Sequence, residues 1–180
     1  DDIRGDTYAN RLVGGDGGDT LVGGNGEDTF IGGAGSDSIV GGIHNDTLDF
    51  SANTVNQAVV VNLLSGNVDN DGLGGADKVS SIETVIGSEG GDSIRGDNQV
   101  NLLVGGNGDD TLWGGVGSDT LYGDLGNDTL DFSANGNQEA VSINLGNNDI
   151  VNDGFGSSDK VFDFETVRGG AGNDDIRGMP

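Results

Sequence analysis

The amino-acid sequence predicts an all-β fold in which very short strands stack into a solenoid. A nine-residue pattern recurs along much of the chain, with one large apolar residue in each copy, and repeats of this kind are typical of solenoids. Glycine accounts for 37 of the 180 residues, with one proline and no cysteine, which excludes collagen, disulfide frameworks and thiolate metal sites. No stretch of useful length has the apolar spacing of a helix.

The chain also carries a large excess of negative charge. Asp and Glu number 31 against 7 Lys and Arg, so the formal net charge is -24. This charge opposes binding to nucleic acid or to anionic membranes, and the longest apolar run, Ala58 to Val61, is far too short to span a membrane. A solvated acidic surface would have the same composition as a metal-binding chain, so only the spacing of the carboxylates can distinguish the two. We expect that so much glycine and self-repulsion require a cation for folding.

The repeated unit is a nonapeptide, G-G-x-G-x-D-x-U-x, in which U is a large apolar residue. Four copies run from Gly14 (GGDGGDTLV, GGNGEDTFI, GGAGSDSIV, GGIHNDTLD) and three from Gly105 (GGNGDDTLW, GGVGSDTLY, GDLGNDTLD). A flexible Gly- and Asp-rich linker has no reason to carry Leu, Phe or Ile at every ninth residue, so we reject that alternative. Degenerate copies in the same frame begin at Gly5, Gly87, Gly96 and Gly169.

A longer unit overlies the nonapeptides, because DTLDFSAN at Asp46 recurs at Asp128. We expect a first nonapeptide run over residues 1–49 with a truncated first repeat, an insert over 50–86, a second run over 87–131, a second insert over 132–168 and the start of a further run over 169–180. The inserts align without gaps, and each contains an alternating strand, at Val59 and at Val141. Since both ends cut through a unit, we expect neighbouring units in a longer parent protein.

The nonapeptide spacing predicts a coil of about 18 residues. The segment x-U-x suffices for one short strand with U facing inward, and the six residues G-G-x-G-x-D reverse the chain, which glycine permits. Two nonapeptides complete a coil, so each loop stacks on the loop two repeats ahead. The predicted inward row is Leu12, Leu21, Phe30, Ile39, Leu48, Ile94, Leu103, Leu112, Leu121 and Leu130.

Stacked loops of this kind offer carbonyl and carboxylate oxygens, and Ca²⁺ takes six to eight oxygen ligands. Nonapeptides of this consensus are known calcium-binding repeats. Pairing loops one coil apart gives about three or four ions per copy, about six or seven in all, and six would bring the net charge of -24 to about -12. Asn10 and Asn101 hold the acidic position without charge, which predicts weaker sites. The predicted carboxylate ligands are Asp19, Asp28, Asp37, Asp46, Asp92, Asp110, Asp119, Asp128 and Asp174.

On these motifs the chain resembles the RTX family of calcium-binding nonapeptide repeats, also called haemolysin-type repeats. The resemblance implies a right-handed parallel β-roll with calcium between the turns, export by type I secretion from a Gram-negative bacterium, and folding on extracellular calcium at the cell surface or beyond it. His44 and Asp124 depart from the loop consensus.

The resemblance also implies that loop residues contribute backbone carbonyls to the metal. These are Gly14, Gly15, Asp16, Gly17, Gly23, Gly24, Asn25, Gly26, Gly32, Gly33, Ala34, Gly35, Gly41, Gly42, Ile43, Gly105, Gly106, Asn107, Gly108, Gly114, Gly115, Val116, Gly117, Gly123, Leu125 and Gly126.

The preferred function is non-catalytic, a calcium-dependent folding and spacer module of a larger secreted or surface protein. No P-loop, HExxH or GxSxG motif is present, and the sole histidine, His44, lies in a predicted calcium loop. The alternative is an accessory module that binds polysaccharide or a cell surface, for which Trp113 and Tyr122 in consecutive repeats are the best support. Thr and Ser at position seven are attributed to β-propensity.

Two features leave alternatives open. Asp71 and Asp77 of the first insert recur as Asp153 and Asp159 of the second, and either bind additional calcium or form a solvated turn beside a lysine. The residues at position nine should face outward, where either the inserts or a neighbouring chain would cover them. They are Val22, Ile31, Val40, Trp113 and Tyr122.

Overall fold

A computed structural model describes residues 1–133 and 139–178; residues 134–138 of the second predicted insert and 179–180 of the last run lie outside it. The described residues form twenty short strands and one 3-10 turn, Leu145–Asn147, with no α-helix. None of the described residues forms a helix long and apolar enough to cross a membrane. The strands are β1 (Asp2–Arg4), β2 (Arg11–Asp16), β3 (Thr20–Asn25), β4 (Thr29–Ala34), β5 (Ser38–Ile43), β6 (Thr47–Asp49), β7 (Val60–Asn62), β8 (Asn67–Asn70), β9 (Asp77–Ser80), β10 (Thr84–Ile86), β11 (Ser93–Arg95), β12 (Leu102–Asn107), β13 (Thr111–Trp113), β14 (Thr120–Leu125), β15 (Thr129–Asp131), β16 (Ser142–Asn144), β17 (Asp149–Asn152), β18 (Asp159–Phe162), β19 (Thr166–Arg168) and β20 (Asp175–Arg177).

The strands form two ten-stranded sheets, and consecutive nonapeptides alternate between them. The first sheet has the order β1-β3-β5-β9-β8-β7-β11-β13-β15-β19, and the second β2-β4-β6-β10-β12-β14-β18-β17-β16-β20. Within the nonapeptide runs the pairing is parallel, with Leu21 opposite Ile39 and Leu12 opposite Phe30. Each loop therefore stacks on the loop two repeats ahead, which confirms the predicted parallel β-roll.

The apolar position of each nonapeptide faces the space between the sheets. All ten residues of the predicted inward row are buried, from Leu12 at 3 % exposed to Leu121 and Leu130 at 0 %. Because each coil contributes two such side chains, the core is a narrow ladder. The inserts thicken it with Val59, Val61, Val68, Val79, Ile82, Val85, Phe132, Val141, Ile143, Ile150, Val161 and Phe164.

Each insert adds a meander to one sheet and lets the other sheet pass uninterrupted. In the first insert β7, β8 and β9 pair antiparallel in sequence, while β9 and β7 continue the parallel pairing with β5 and β11. On the opposite face β6 pairs directly with β10. The second insert places β16, β17 and β18 in the second sheet instead.

The glycine pattern of the loops follows from their backbone conformation. The second and fourth residues of the nonapeptides have positive φ, as at Gly33 (99°) and Gly35 (137°), a region that only glycine enters without cost. The two departures from consensus fall on these positions, and His44 (90°) and Asp124 (67°) adopt positive φ as well. The His44 Nδ1 accepts a hydrogen bond of 3.2 Å from the Gly26 N–H, which anchors the substituted loop to its neighbour.

Candidate metal centre

The aspartate at position six closes each turn immediately before a strand and points back into its own loop. The position places a carboxylate inside the roll, and Asp46 and Asp128 have no exposed surface (0 %). Aspartate is almost never fully buried unless it is paired. The other predicted aspartate ligands with buried side chains are Asp19, Asp28, Asp37, Asp92, Asp110 and Asp119.

One oxygen of each carboxylate belongs to a ladder that runs along the roll. The Asp19 N–H donates to Asp37 Oδ1 at 2.8 Å, and the Asp110 N–H donates to Asp128 Oδ1 at 2.9 Å, each across 18 residues. The same bond joins Asp28 to Asp46. Each Oδ1 therefore holds its carboxylate in one fixed orientation and fastens one loop to the next.

The second oxygen has no partner. Oδ2 is buried without a hydrogen bond in Asp19, Asp28, Asp37, Asp46, Asp71, Asp110, Asp119 and Asp128. A buried carboxylate oxygen left unsatisfied costs several kcal/mol. A row of them, all facing the interior of successive loops, is the arrangement that a bound cation would complete.

The first glycine of each nonapeptide provides the space beside this oxygen. A Cβ placed on Gly14 would lie 2.6 Å from Asp19 Oδ2 and would also collide with the carbonyl oxygen of Gly32 in the next coil. A Cβ on Gly23 would lie 2.7 Å from the Gly41 carbonyl oxygen. Carboxylate and carbonyl oxygens of two stacked loops therefore converge beside the glycine, at the position where any other residue would have its Cβ.

The donor set fits calcium. It consists of hard oxygens, and Ca²⁺ accepts mixtures of carboxylates and backbone carbonyls in flexible geometry. In residues 1–133 and 139–178 no three acidic or histidine side chains gather into one cluster, so carbonyls from two loops would supply the remaining ligands. The predicted pairing of loops one coil apart brings such oxygens together.

Burial perturbs the titration of these groups. It raises the pKa of Asp110 to about 7, and the charges of Asp92 and Asp128 add to the rise. The hydrogen bond from the Asp92 N–H acts in the opposite direction and lowers this pKa. Burial likewise raises the pKa of Asp46 and of Asp119 to about 6. Protons and a cation therefore compete for the same oxygens.

Four predicted ligands differ from the rest. The Asp92 carboxylate accepts from the Ser88 N–H at 2.5 Å, the Ser88 Oγ at 2.7 Å and the Val59 N–H at 2.8 Å, so protein groups satisfy both of its oxygens. Asp174 is only half-buried. Asn10 and Asn101 use Oδ1 to accept from an N–H of their own loops at 2.8 Å, which leaves no charged oxygen for a metal.

The inserts supply loop groups that the sequence prediction did not assign. The carbonyl oxygens of Ser81 and Asp163 lie where a Cβ on Gly41 or Gly123 would stand, and both residues have positive φ, 53° and 59°. These oxygens replace the glycine carbonyls that the next nonapeptide would provide. In the sequence, the end of each insert resembles the end of a nonapeptide, SIET over residues 81–84 and DFET over 163–166, and this resemblance could have indicated the two carbonyls.

The position-nine aromatics are covered by the second insert. Trp113 is 7 % exposed, with the Arg95 guanidinium 3.8 Å from its ring centre and the Phe155 ring edge-on at 6.1 Å. Tyr122 stacks on Phe162 at 4.7 Å. The second insert therefore covers both rings, which is the first of the two predicted alternatives. Trp113 and Tyr122 do not lie side by side, because consecutive nonapeptides belong to opposite sheets. No sugar-binding platform of two adjacent rings results.

Comparison with known proteins agrees with this geometry. The model of the RTX calcium-binding nonapeptide repeat matches four times, over residues 1–30, 22–53, 95–130 and 163–179, which together cover more than half of the chain. A search of curated proteins found no match. With its parallel β-roll and its rows of inward carboxylates, the chain belongs to the family of RTX calcium-binding nonapeptide repeats.

Proposed function

We propose that the chain is a calcium-dependent folding and spacer module of a larger secreted or cell-surface protein. The observation that carries the proposal is the row of buried Oδ2 atoms without a hydrogen-bond partner. Each lies beside a glycine that leaves room for an ion, and in most loops a carbonyl oxygen of the next coil lies there too.

The charges explain why folding and binding form one event. With a net charge of -24, stacking the loops brings carboxylates together in the interior, and the narrow apolar ladder does not offset that repulsion and the entropy of ordering so much glycine. Bound calcium would supply the missing positive charge, and its binding free energy becomes folding free energy. We propose about six or seven ions per chain, with cooperativity from stacking.

The individual residues have distinct tasks in this scheme. The position-six carboxylates orient through Oδ1 and would bind through Oδ2, and the carbonyls of the neighbouring loop complete the site. At the third loop position, where only the backbone carbonyl would bind, the side chains of Ile43 (61 %) and Leu125 (72 %) are exposed. Loop substitutions that keep the backbone path are therefore compatible with binding.

The location follows from the calcium requirement. A module with affinity near 10⁻⁴ to 10⁻³ M, as in extracellular calcium modules, would remain unfolded inside a cell and fold outside it. This supports secretion in an unfolded state through a type I system and a structural role beyond the envelope. We propose no catalytic activity and no nucleic-acid partner.

The test is a titration of the isolated chain from chelator to 10 mM Ca²⁺, followed by circular dichroism and small-angle scattering. We expect an expanded, weakly structured chain in EDTA and a compact β-rich rod at high calcium, with Mg²⁺ at equal concentration much less effective because it demands smaller, octahedral sites. β-structure and compactness that persist in EDTA would contradict the proposal.

A further inference from the structure

Asp71 lies in the first insert, outside every nonapeptide, yet its carboxylate resembles those of the loops. The side chain is 1 % exposed, and its Oδ2 is buried without a hydrogen-bond partner. Its Oδ1 accepts from the Leu73 N–H at 2.7 Å and from the Gly75 N–H at 2.9 Å. The carboxylate is therefore fixed in orientation, with one charged oxygen left over.

This oxygen faces the preceding nonapeptide loop. A Cβ on Gly75 would lie 2.5 Å from Asp71 Oδ2 and would collide with the carbonyl oxygen of Gly35. The same stacked loops carry Asp37 and Asp77, both 3 % exposed and joined by a hydrogen bond of 2.9 Å from the Asp37 N–H to Asp77 Oδ1. The Asp71 carboxylate and the Gly35 carbonyl therefore converge at the junction of run and insert, and the buried carboxylates of Asp37 and Asp77 belong to the same stacked loops.

The lysine beside this turn does not neutralise it. Lys78 points outward from β9, and its Nζ donates to Asn67 Oδ1. In the first insert the predicted alternative of a solvated turn with a lysine–aspartate pair is therefore not what forms, whereas in the second Lys160 Nζ pairs with Asp149.

The second insert contains an internal comparison. Asp153 and Asp159 are buried like their counterparts Asp71 and Asp77, but Ser157 stands where the first insert has Gly75. The Ser157 Oγ donates to Asp153 Oδ2 and accepts from the Gly117 N–H at 3.4 Å. The hydroxyl therefore satisfies the oxygen that the first insert leaves unpartnered.

We propose that Asp71 Oδ2 and the Gly35 carbonyl oxygen form an additional calcium site that ties the first insert to the roll, and that Ser157 closes the corresponding position in the second insert. The all-oxygen donor set favours calcium over metals that prefer nitrogen or sulfur. The inference rests on the calcium binding of the family and does not depend on the spacer role.

The test counts bound calcium per chain by equilibrium dialysis and native mass spectrometry. Asp71→Asn preserves side-chain volume and the Oδ1 acceptor, and we expect it to lower the count by one. Asp153→Asn is the matched control at an equally buried position, and we expect it to leave the count unchanged. An unchanged count in Asp71→Asn overturns the first-insert site.

Ser157→Gly tests the second half and remains decisive if Asp71→Asn does not fold. Removing the hydroxyl recreates the Gly75 environment around Asp153, so we expect the count to rise by one. An unchanged count in this variant shows that Ser157 is not what closes the position and, where Asp71→Asn does not fold, overturns the added site. A wild-type chain that binds no calcium would instead overturn the proposed function.

Discussion

The Asp46 N–H donates a hydrogen bond of 2.9 Å to Oε2 of Glu83, 37 residues further along the chain. The Asp128 N–H makes the same bond of 2.8 Å to Glu165. Glutamate thus replaces aspartate where the chain returns from an insert, and its longer side chain reaches the same amide. The carboxylate ladder therefore extends to the strand with which the chain returns from each insert.

Replacing Glu83 by alanine should weaken the joint between first insert and roll. The Asp46 N–H, part-buried, would lose its acceptor, which costs about 1–3 kcal/mol of the free energy of unfolding. Urea denaturation at saturating calcium measures it. Glu27→Ala, at an exposed loop position, is the control and should change stability by less than about 0.5 kcal/mol. Equal stability of the two variants would show that the ladder bond contributes nothing.

Asp28→Asn should impair calcium binding without breaking the ladder. The amide oxygen can still accept from the Asn10 N–H, which donates to Asp28 Oδ1 at 2.8 Å, but the charge at Oδ2 disappears. Since affinity follows ligand charge, we expect the calcium midpoint of folding to rise by about tenfold. Asp16→Asn, whose side chain is exposed, should leave the midpoint unchanged. A circular-dichroism titration decides, and identical midpoints would exclude Asp28 as a ligand.

Gly14→Ala should block one site by filling it. The new methyl would lie 2.6 Å from Asp19 Oδ2, within the space proposed for the ion. Gly178→Ala is the control, because a Cβ there meets nothing within 4 Å. We expect the first variant to bind fewer ions in native mass spectrometry and the second to match the wild type. A full complement of calcium in Gly14→Ala would place the ions elsewhere.

Calcium affinity should fall as the pH is lowered from 8 to 5. The pKa of Asp110 is raised to about 7 and those of Asp46 and Asp119 to about 6, so protons occupy these carboxyls in that range. Because the raised values favour protonation of the folded chain over the unfolded one, acid should stabilise the fold in chelator. That gain is lost as the pH rises through about 6 to 7. Calcium titrations at four pH values measure the first effect, and EDTA samples measure the second. A calcium midpoint of folding that does not change with pH would contradict the predicted loss of affinity.

Trp113 should report whether the second insert is docked. It is the single tryptophan and lies beneath Phe155 and Arg95, so iodide or acrylamide should quench it weakly in the calcium-loaded chain. Phe155→Ala should expose the ring and increase quenching. Phe162→Ala, which removes the partner of Tyr122 on the other sheet, should not. Strong quenching of the wild type would show that Phe155 does not cover the ring in solution.

The sequence was sufficient to predict the parts of the fold that repeat. A period of nine with one apolar residue determines strand, inward face and stacking, because each follows from local geometry; Leu21 and Leu121 lie where that logic places them. The position-six aspartates follow in the same way, since a turn of six residues returns each to the same place.

The non-repeating parts depend on contacts that a period does not encode. The antiparallel meanders of the inserts, the cover of Phe155 over Trp113 and the saturation of Asp92 by Ser88 each involve one partner chosen by tertiary packing. Gly75 and Ser157 differ by a hydroxymethyl group in otherwise matching inserts, and only the structure shows what that group contacts. The burial of Asp71 likewise depends on tertiary packing and does not follow from the repeat.

The placement of the two inserts in opposite sheets affects the straightness of a long array. The first insert gives the first sheet two more strands than the second, which is about 10 Å of extra length at the usual strand spacing. The second insert adds two extra strands to the second sheet, so that each sheet has ten strands in all. A series of inserts on one side would bend the filament steadily into an arc. Inserts that alternate between the two sheets cancel this bend every two units, so a longer chain built of such units would have a straight axis.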